Sequence, residues 1–475
     1  MKNKIGVLVK LSLFLLLGTL AVGSAYGQST EKQSVQSAKE KRQAERKAER
    51  ERKKAERAAR DNQKTKKAQA VTKKVYDKIL VAQEKVEAED YTGALQDLNT
   101  LNSNTKLTEY EKSNVLNYIG FVYYNMGNMT GAIATYVEML RIPSLEEQVR
   151  KTTIYTLSQL YTMEEEYDNS LRLLDEWFEL EINPGSGPYI LYAQNLYQVN
   201  RFREMVEPIE TAIEIAEERE KSVKEDWFVL LNFAYFQQED YTKVRDIQKI
   251  LLANWPKKRY WFSLAGAYTE LEEDSNLFAA YDASQTQGLL EKESEFVTMA
   301  QLLLSNEVPY KAGKLLEAEM EKGTVSRNAK NYRLLSQAWQ VAQEDEKSIP
   351  ALKEAARLSN EGELNLRLGN AHLNLGQYSE CVSAVQNGLK KGGIKSPDNA
   401  HISLGMCLYN QQKYRASKNA FREARKTRRS RKLSNQWINV IDNEIERNEQ
   451  VAAIEASARK QIQELAKRRA ANSRT

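Results

Sequence analysis

The hydrophobic pattern changes character three times along the chain. A largely apolar run from Leu11 to Val22 is followed by a long stretch, Glu31 to Lys74, with almost no large apolar residues. From about Val71 onward, apolar residues recur at helical spacing in segments about a dozen residues long, and these segments come in pairs. Past about Arg425 the pattern returns to a charged helix in which Trp437, Ile438, Val440 and Ile441 form one apolar cluster. The few Gly and Pro (21 and 8 in 475 residues) disfavour a turn-dense all-β chain and leave room for long helices.

Aligning the paired segments exposes an internal repeat. LNYIGFVYYNMGNMTGAIATYVEML carries Gly120 on its first helix and Ala132 on its second, and IYTLSQLYTMEEEYDNSLRLLDEWF carries Ser158 and Ser170 in the same frame. Ala193 with Met205, Ala300 with Ala312, Ser336 with Ser348, Gly369 with Cys381 and Gly405 with Ser417 continue it, always 12 residues apart. Weaker copies are Ala82/Ala94, Asn232/Val244 and Ala265/Leu277. Small residues suit the crossing of two helices, where a larger side chain would force the backbones apart. Met205 and Cys381 are bulky for that role. Extended helices or loops are expected at EINPGSGPYI and KKGGIKSPDN, where units exceed the usual length.

This pattern resembles the tetratricopeptide repeat (TPR) family, a helix–turn–helix unit of about 34 residues. The resemblance implies an all-α, TPR-type α-solenoid of about ten helix-turn-helix units, with a charged N-terminal helix and a C-terminal capping helix. Most units lack the closing Pro of the family pattern, Pro256 being the clearest survivor. The expected division is a signal peptide at 1–27, a basic helix or arm at 28–74, the solenoid at 75–424, and a basic cap helix and tail at 425–475.

Charge sharpens that division. The formal +5 conceals 17 Lys+Arg against 7 Asp+Glu in residues 31–74, and 14 against 7 in residues 422–475. Residues 75–421 hold 36 basic and 51 acidic residues, an acidic body between two basic ends. Lys2, Lys4 and Lys10 precede the Leu11–Val22 run, and Ala25-Tyr26-Gly27 fits a cleavage pattern. Together they read as a secretory signal and place the protein in the periplasm; the alternative is an uncleaved anchor. The arm consists of strong helix formers with many acid–base pairs at i,i+3 and i,i+4, and no heptad of large apolar residues for a self-associating coiled coil. Export argues against nucleic acid as a partner. The basic ends suit an anionic membrane surface or an acidic protein, or they merely keep the helices soluble.

Candidate chemistry is sparse. No Walker loop, G-x-S-x-G, H-E-x-x-H or paired CxxC occurs. His372 falls at a core site and His401 opens a helix, so each reads as a packing or half-exposed residue. Glu164, Glu165 and Glu166 fall on a turn as solvated charge. No cofactor or metal is expected, and an enzyme would require a site assembled from Glu and Tyr. Cys381 and Cys407 fall on neighbouring helices, so they form either a disulfide, if their Cα atoms lie within about 7 Å, or two buried thiols. The first helices are rich in Tyr and Asn. Asn117, Tyr118, Tyr124, Tyr155, Tyr192 and Asn195 are the candidate lining of a peptide groove, in which the acidic body favours a basic or mixed peptide.

The whole mature chain is also similar to a group of exported TPR proteins encoded beside TonB, ExbB and ExbD homologues in gamma-proteobacteria. The similarity lies in VLNYIGFVYYNMGNMTGAIATY, YTLSQLYTMEEEYDNSLRLLDEWF, MAQLLLSNEVPYKAGKLLEAEMEKG, SQAWQVAQEDEKSIPALKEAA and the exit TRRSRKLSNQWI. It implies a non-enzymatic scaffold or adaptor, accessory to TonB-dependent uptake of iron chelates, with TonB, ExbB or ExbD components as protein partners. An adaptor for outer-membrane assembly or cell-wall synthesis is the alternative.

Overall fold

The computed structural model describes residues 70–472 and a few helical, exposed positions between 41 and 55. The proposed signal peptide and most of the basic arm lie outside the described residues. The chain divides into two compact units at Gln238/Glu239.

The first unit contains α1 (Lys73–Glu87), α2 (Tyr91–Asn102), α3 (Glu109–Asn125), α4 (Met129–Leu140) and α5 (Glu147–Met163). It continues with α6 (Tyr167–Leu180), α7 (Ser186–Gln198), a 3-10 turn (Phe202–Met205), α8 (Val206–Glu218) and α9 (Glu225–Phe236). The second unit contains α10 (Tyr241–Asn254), α11 (Lys258–Glu270), α12 (Asp274–Thr286), α13 (Glu293–Ser305), α14 (Pro309–Lys322) and α15 (Ala329–Val341). It closes with α16 (Asp345–Leu358), α17 (Gly362–Asn374), α18 (Tyr378–Lys391), α19 (Pro397–Asn410), α20 (Tyr414–Arg425), a 3-10 turn (Arg428–Ser430) and α21 (Arg431–Asn472). No strand occurs among the described residues. Four helix pairs pack within the first unit before α9 and five within the second between α10 and α21, with the division falling between α9 and α10, so the all-α repeat architecture expected from the sequence is the one observed in each unit.

The repeat register has a steric basis. A Cβ on Gly120 of α3 would lie 2.7 Å from the Tyr136 ring of α4, and one on Gly405 of α19 would lie 2.6 Å from the Phe421 ring of α20. Real Cβ contacts do not come so close, so these glycines let each aromatic ring sit against the facing backbone. Ser158, Ser170, Ser336, Ser348 and Ser417 fill the equivalent positions without any solvent exposure. The weaker copy Ala82/Ala94 is as tightly buried as the strong ones, whereas Asn232 and Leu277 are only half-buried.

Each intra-pair turn shares a further feature. Seven residues after the small position of the first helix, the backbone enters the left-handed region: Glu89, Gly127, Glu165, Asn200, Glu239, Glu272, Glu307, Gln343, Gly376 and Gln412 all have φ between 55° and 72°. Only two of the ten are glycine, so most turns accept a side chain in a conformation costing roughly 1 kcal/mol or more. Where the next residue is Asp or Asn, its side chain caps the following helix. Asp90, Asn128 and Asp240 accept from the amides of Gly93, Gly131 and Lys243 at 2.9–3.1 Å. The two long connections form loops at residues 181–185 and 392–396.

At the C-terminal end, Ile438 and Ile441 are buried and Trp437 stacks on Phe421 with centroids 5.4 Å apart, sealing α20. Val440 does not share in this seal. It is exposed, because it falls on the opposite side of α21 from Ile438 and Ile441. Beyond this seal every described residue from Glu446 to Lys467 is exposed. No helix of the described residues is long and apolar enough to cross a membrane.

Candidate functional site

The six candidate groove residues all belong to the first unit, and the structure separates them into three kinds. Asn117 and Tyr124 are exposed on α3, and Asn117 lines a cleft of about 210 Å³ between α3 and α5 with Asn114, Thr152 and Glu146 at its edges. Tyr118 and Tyr155 are half-buried against the core, and Tyr155 packs on Trp177 with ring centroids 5.2 Å apart. Tyr192 is half-buried, edge-on to Phe178, and hydrogen-bonded to Asp175; burial and that carboxylate push its phenol up to about 12. Asn195 is a correction. It is fully buried, accepts from Thr162 Oγ1 and donates to Ser170 Oγ, each at 2.9 Å, and so joins α5, α6 and α7 instead of facing a ligand. A buried amide without those partners would be costly, so its role is internal.

Of the exposed aromatics of this unit, sequence reasoning named Tyr124 and missed Tyr197, Phe236 and Phe121. Tyr124, Tyr197 and Phe236 all stand four residues after the small position of their helix and are each 40–51% exposed. Tyr197 also packs edge-on to Phe233, and both contact Phe202, at centroid distances of 5.1–6.0 Å. Phe121 and Met163 add exposed apolar surface on α3 and α5. The register alone does not mark them, since Thr162 and Tyr409 hold the same position and are half-buried against the second helices of their own pairs. Lys151 was missed too. Its ammonium is buried, satisfied by Glu181 at 2.8 Å, and ties α5 to the end of α6.

The second unit brings together the two cysteines. Cys381 of α18 and Cys407 of α19 form a disulfide with Cα atoms 6.2 Å apart, both without exposure, which is the first of the two alternatives the sequence left open. His372 is half-buried, with Nδ1 2.6 Å from Gln377 Oε1. His401 is half-buried, and burial lowers its pKa. Glu165 is the left-handed residue of its turn, flanked by Glu164 and Glu166. No group of three or more His, Cys, Asp or Glu among the described residues is placed to hold a metal.

A wider cleft lies elsewhere in the second unit. It holds about 880 Å³ between α16 and α18, over α17, and carries four basic residues against one acid.

No family model matches the chain, and no curated protein matches it. Among solved structures, it is similar to a TPR protein from Parabacteroides merdae at 14% identity, covering 56% of this chain and 99% of that one with a TM-score of 0.33. It is likewise similar to YrrB, described as a TPR protein with an unusual peptide-binding site, at 15% identity over 40% of this chain and 95% of that one with a TM-score of 0.33. A third is the TPR2AB domain of yeast Sti1 in complex with a pHSP90 segment, at 15% identity over 56% and 98% of the two chains with a TM-score of 0.32. Likenesses at this level say nothing of what the chain binds.

Proposed function

We propose that the protein is a non-enzymatic periplasmic TPR scaffold that holds protein partners, accessory to a TonB-dependent energy-transduction system for uptake of iron chelates. The observation that carries the scaffold reading is the register-matched row of exposed aromatics, Tyr124, Tyr197 and Phe236, on the first helices of one unit. Large rings left in water at repeated positions suit a partner's surface, because they supply rigid contact area at small entropic cost. The Cys381–Cys407 disulfide supports an oxidising compartment, as does the signal-like N-terminus. The TonB assignment rests on the sequence resemblance, and an adaptor for another envelope machine is the second reading.

In-cell crosslinking of the exported protein, followed by mass spectrometry, tests both. Recovery of TonB, ExbB or ExbD is the expected result, weakened by the triple change Tyr124→Ala, Tyr197→Ala, Phe236→Ala. Reproducible capture of a different envelope complex would keep the scaffold and discard the uptake role. Turnover of an envelope substrate by the purified protein would overturn the non-enzymatic reading.

A further inference from the structure

The 880 Å³ cleft of the second unit sits on the opposite helices from those the sequence nominates for binding. Its walls come mainly from second helices of consecutive pairs, α16 and α18, and α17 supplies the floor. Leu368 of α17, with Ala356 and Ala384 of the walls, gives the trough a buried apolar base, and Asn365 and His372 of α17 line it beside them. The rim is basic: Lys353 and Arg357 stand on α16, and Lys390 and Lys391 on the last turn of α18.

These bases are not equivalent. Lys391 is spent inside the fold, donating to the carbonyls of Ala356 and Ser359 at 2.6 and 3.1 Å and so capping the end of α16. Arg357 pairs with Glu354 on the exposed side at 2.8 Å. Lys353 and Lys390 have no ion-pair partner among the described residues, and Glu380 is the one acid in the lining. A cluster of positive charge therefore faces an apolar trough within an otherwise acidic body, residues 75–421 having 36 basic against 51 acidic side chains.

One buried group gives the trough a direction. Asn365 lines it, is only 8% exposed, and its Oδ1 has no hydrogen-bond partner. A buried acceptor left unpaired costs stability and is uncommon without a reason. What it lacks is a donor; sealed from solvent as it stands, the oxygen meets the N–H of an extended peptide only if the side chain turns toward the trough. Anionic phosphate or a carboxylate alone would satisfy the lysines but would bring no N–H to Asn365 Oδ1.

We propose that this second-helix groove is a docking site for an extended acidic segment of a partner protein. Its carboxylates meet Lys353 and Lys390, an apolar side chain covers Leu368 and Ala384, and Asn365 turns its Oδ1 into the trough to accept from a main-chain N–H. This rests on the scaffold reading and adds a second surface, of different chemistry from the aromatic one. The acidic body repels such a segment elsewhere, which confines it to the groove.

The test uses the full chain and a fluorescein-labelled octapeptide of alternating Glu and Leu, with the matched Lys/Leu octapeptide as control, read by anisotropy. The Glu/Leu peptide is expected to bind and to weaken with added salt, and the Lys/Leu peptide is not expected to bind. Lys353→Glu with Lys390→Glu should lower affinity at least about tenfold, while reversing Lys314 and Lys330, outside the groove, should leave it unchanged. Asn365→Leu should lower affinity roughly fivefold without lowering the melting temperature, since no internal hydrogen bond to Oδ1 is lost; a merely structural Asn365 would show the reverse. Equal binding of the two peptides, or indifference to the Lys353/Lys390 reversal, overturns the proposal. So does loss of a self-associated species on that reversal in sedimentation, which would make a second copy the occupant. If crosslinking captures partners while the acidic peptide fails to bind, the groove assignment falls and the scaffold stands.

Discussion

The fourth and ninth helix pairs each carry a side chain larger than the Ala or Ser found at the equivalent place in most other pairs, and they accommodate it differently. In the fourth pair Met205 faces a first helix whose small residue is Ala193, and the second helix does not start there. Phe202–Met205 winds as a tighter 3-10 turn, α8 begins one residue later, and Met205 is completely buried. In the ninth pair α18 runs without interruption from Tyr378. Here the first helix offers Gly369, where a Cβ would lie 2.4 Å from Val385 Cγ2, and the sulfur of Cys381 is directed to Cys407 of the next pair. In these two pairs the departure is absorbed by backbone in one and by closer approach and a covalent link in the other, whereas α12 carries Leu277 opposite Ala265 without interruption.

The largest expected effect breaks the covalent half of this contrast. Cys381→Ala with Cys407→Ala should destabilise the second unit by about 3 kcal/mol, the amount expected for opening a loop of this order, 26 residues in sequence separation. Thermal unfolding with and without reductant checks it: the wild type should fall toward the variant on reduction, and the variant should not move. Met205→Ala should cost about 2 kcal/mol, at the low end for emptying a buried site, because an alanine there lets α8 extend backward and refill the space. Denaturant unfolding gives the number, and a loss near 5 kcal/mol would show that the 3-10 turn is not a response to the methionine.

Smaller changes sharpen the comparison at the turns. Gly376 of the ninth pair holds φ +70°, so Gly376→Ala should cost about 1 kcal/mol. Asn200 of the fourth holds φ +60°, a conformation Asn tolerates, so Asn200→Gly should lie within about 0.5 kcal/mol of wild type. The smallest effect is confined to alkaline pH. Tyr192, raised to about 12 in the folded fourth pair, ionises near 10 when unfolded, so its contribution is complete below pH 10 and lost as pH rises toward 12. Wild type should therefore lose stability relative to Tyr192→Phe across that window and match its pH dependence below it.

The helix pairs were legible because small residues 12 apart are a steric demand that leaves a direct trace in sequence. The site was less legible, for reasons particular to each residue. Asn195 and Asn117 are the same amide on first helices, yet one is sealed between Thr162 and Ser170 and the other faces water, which periodicity alone does not separate. Val440 shares the apolar cluster of α21 but not its buried side. The disulfide stayed open between two alternatives because neighbouring helices fix proximity, not the direction of Cβ. The basic groove was invisible because Lys353 and Lys390 are 37 residues apart and read singly as solvated charge.

The disulfide also alters how the array comes apart. In a stack of repeats each pair touches its neighbours, so opening begins at the ends and advances one pair at a time, each step a separate small unfolding event. The Cys381–Cys407 bond joins the second helix of the ninth pair to the first of the tenth, so neither can open fully without carrying the other. Amide protons of α18 and α19 should then exchange with a common free energy, and at the C-terminal end of the second unit the elementary unit of fraying becomes two pairs.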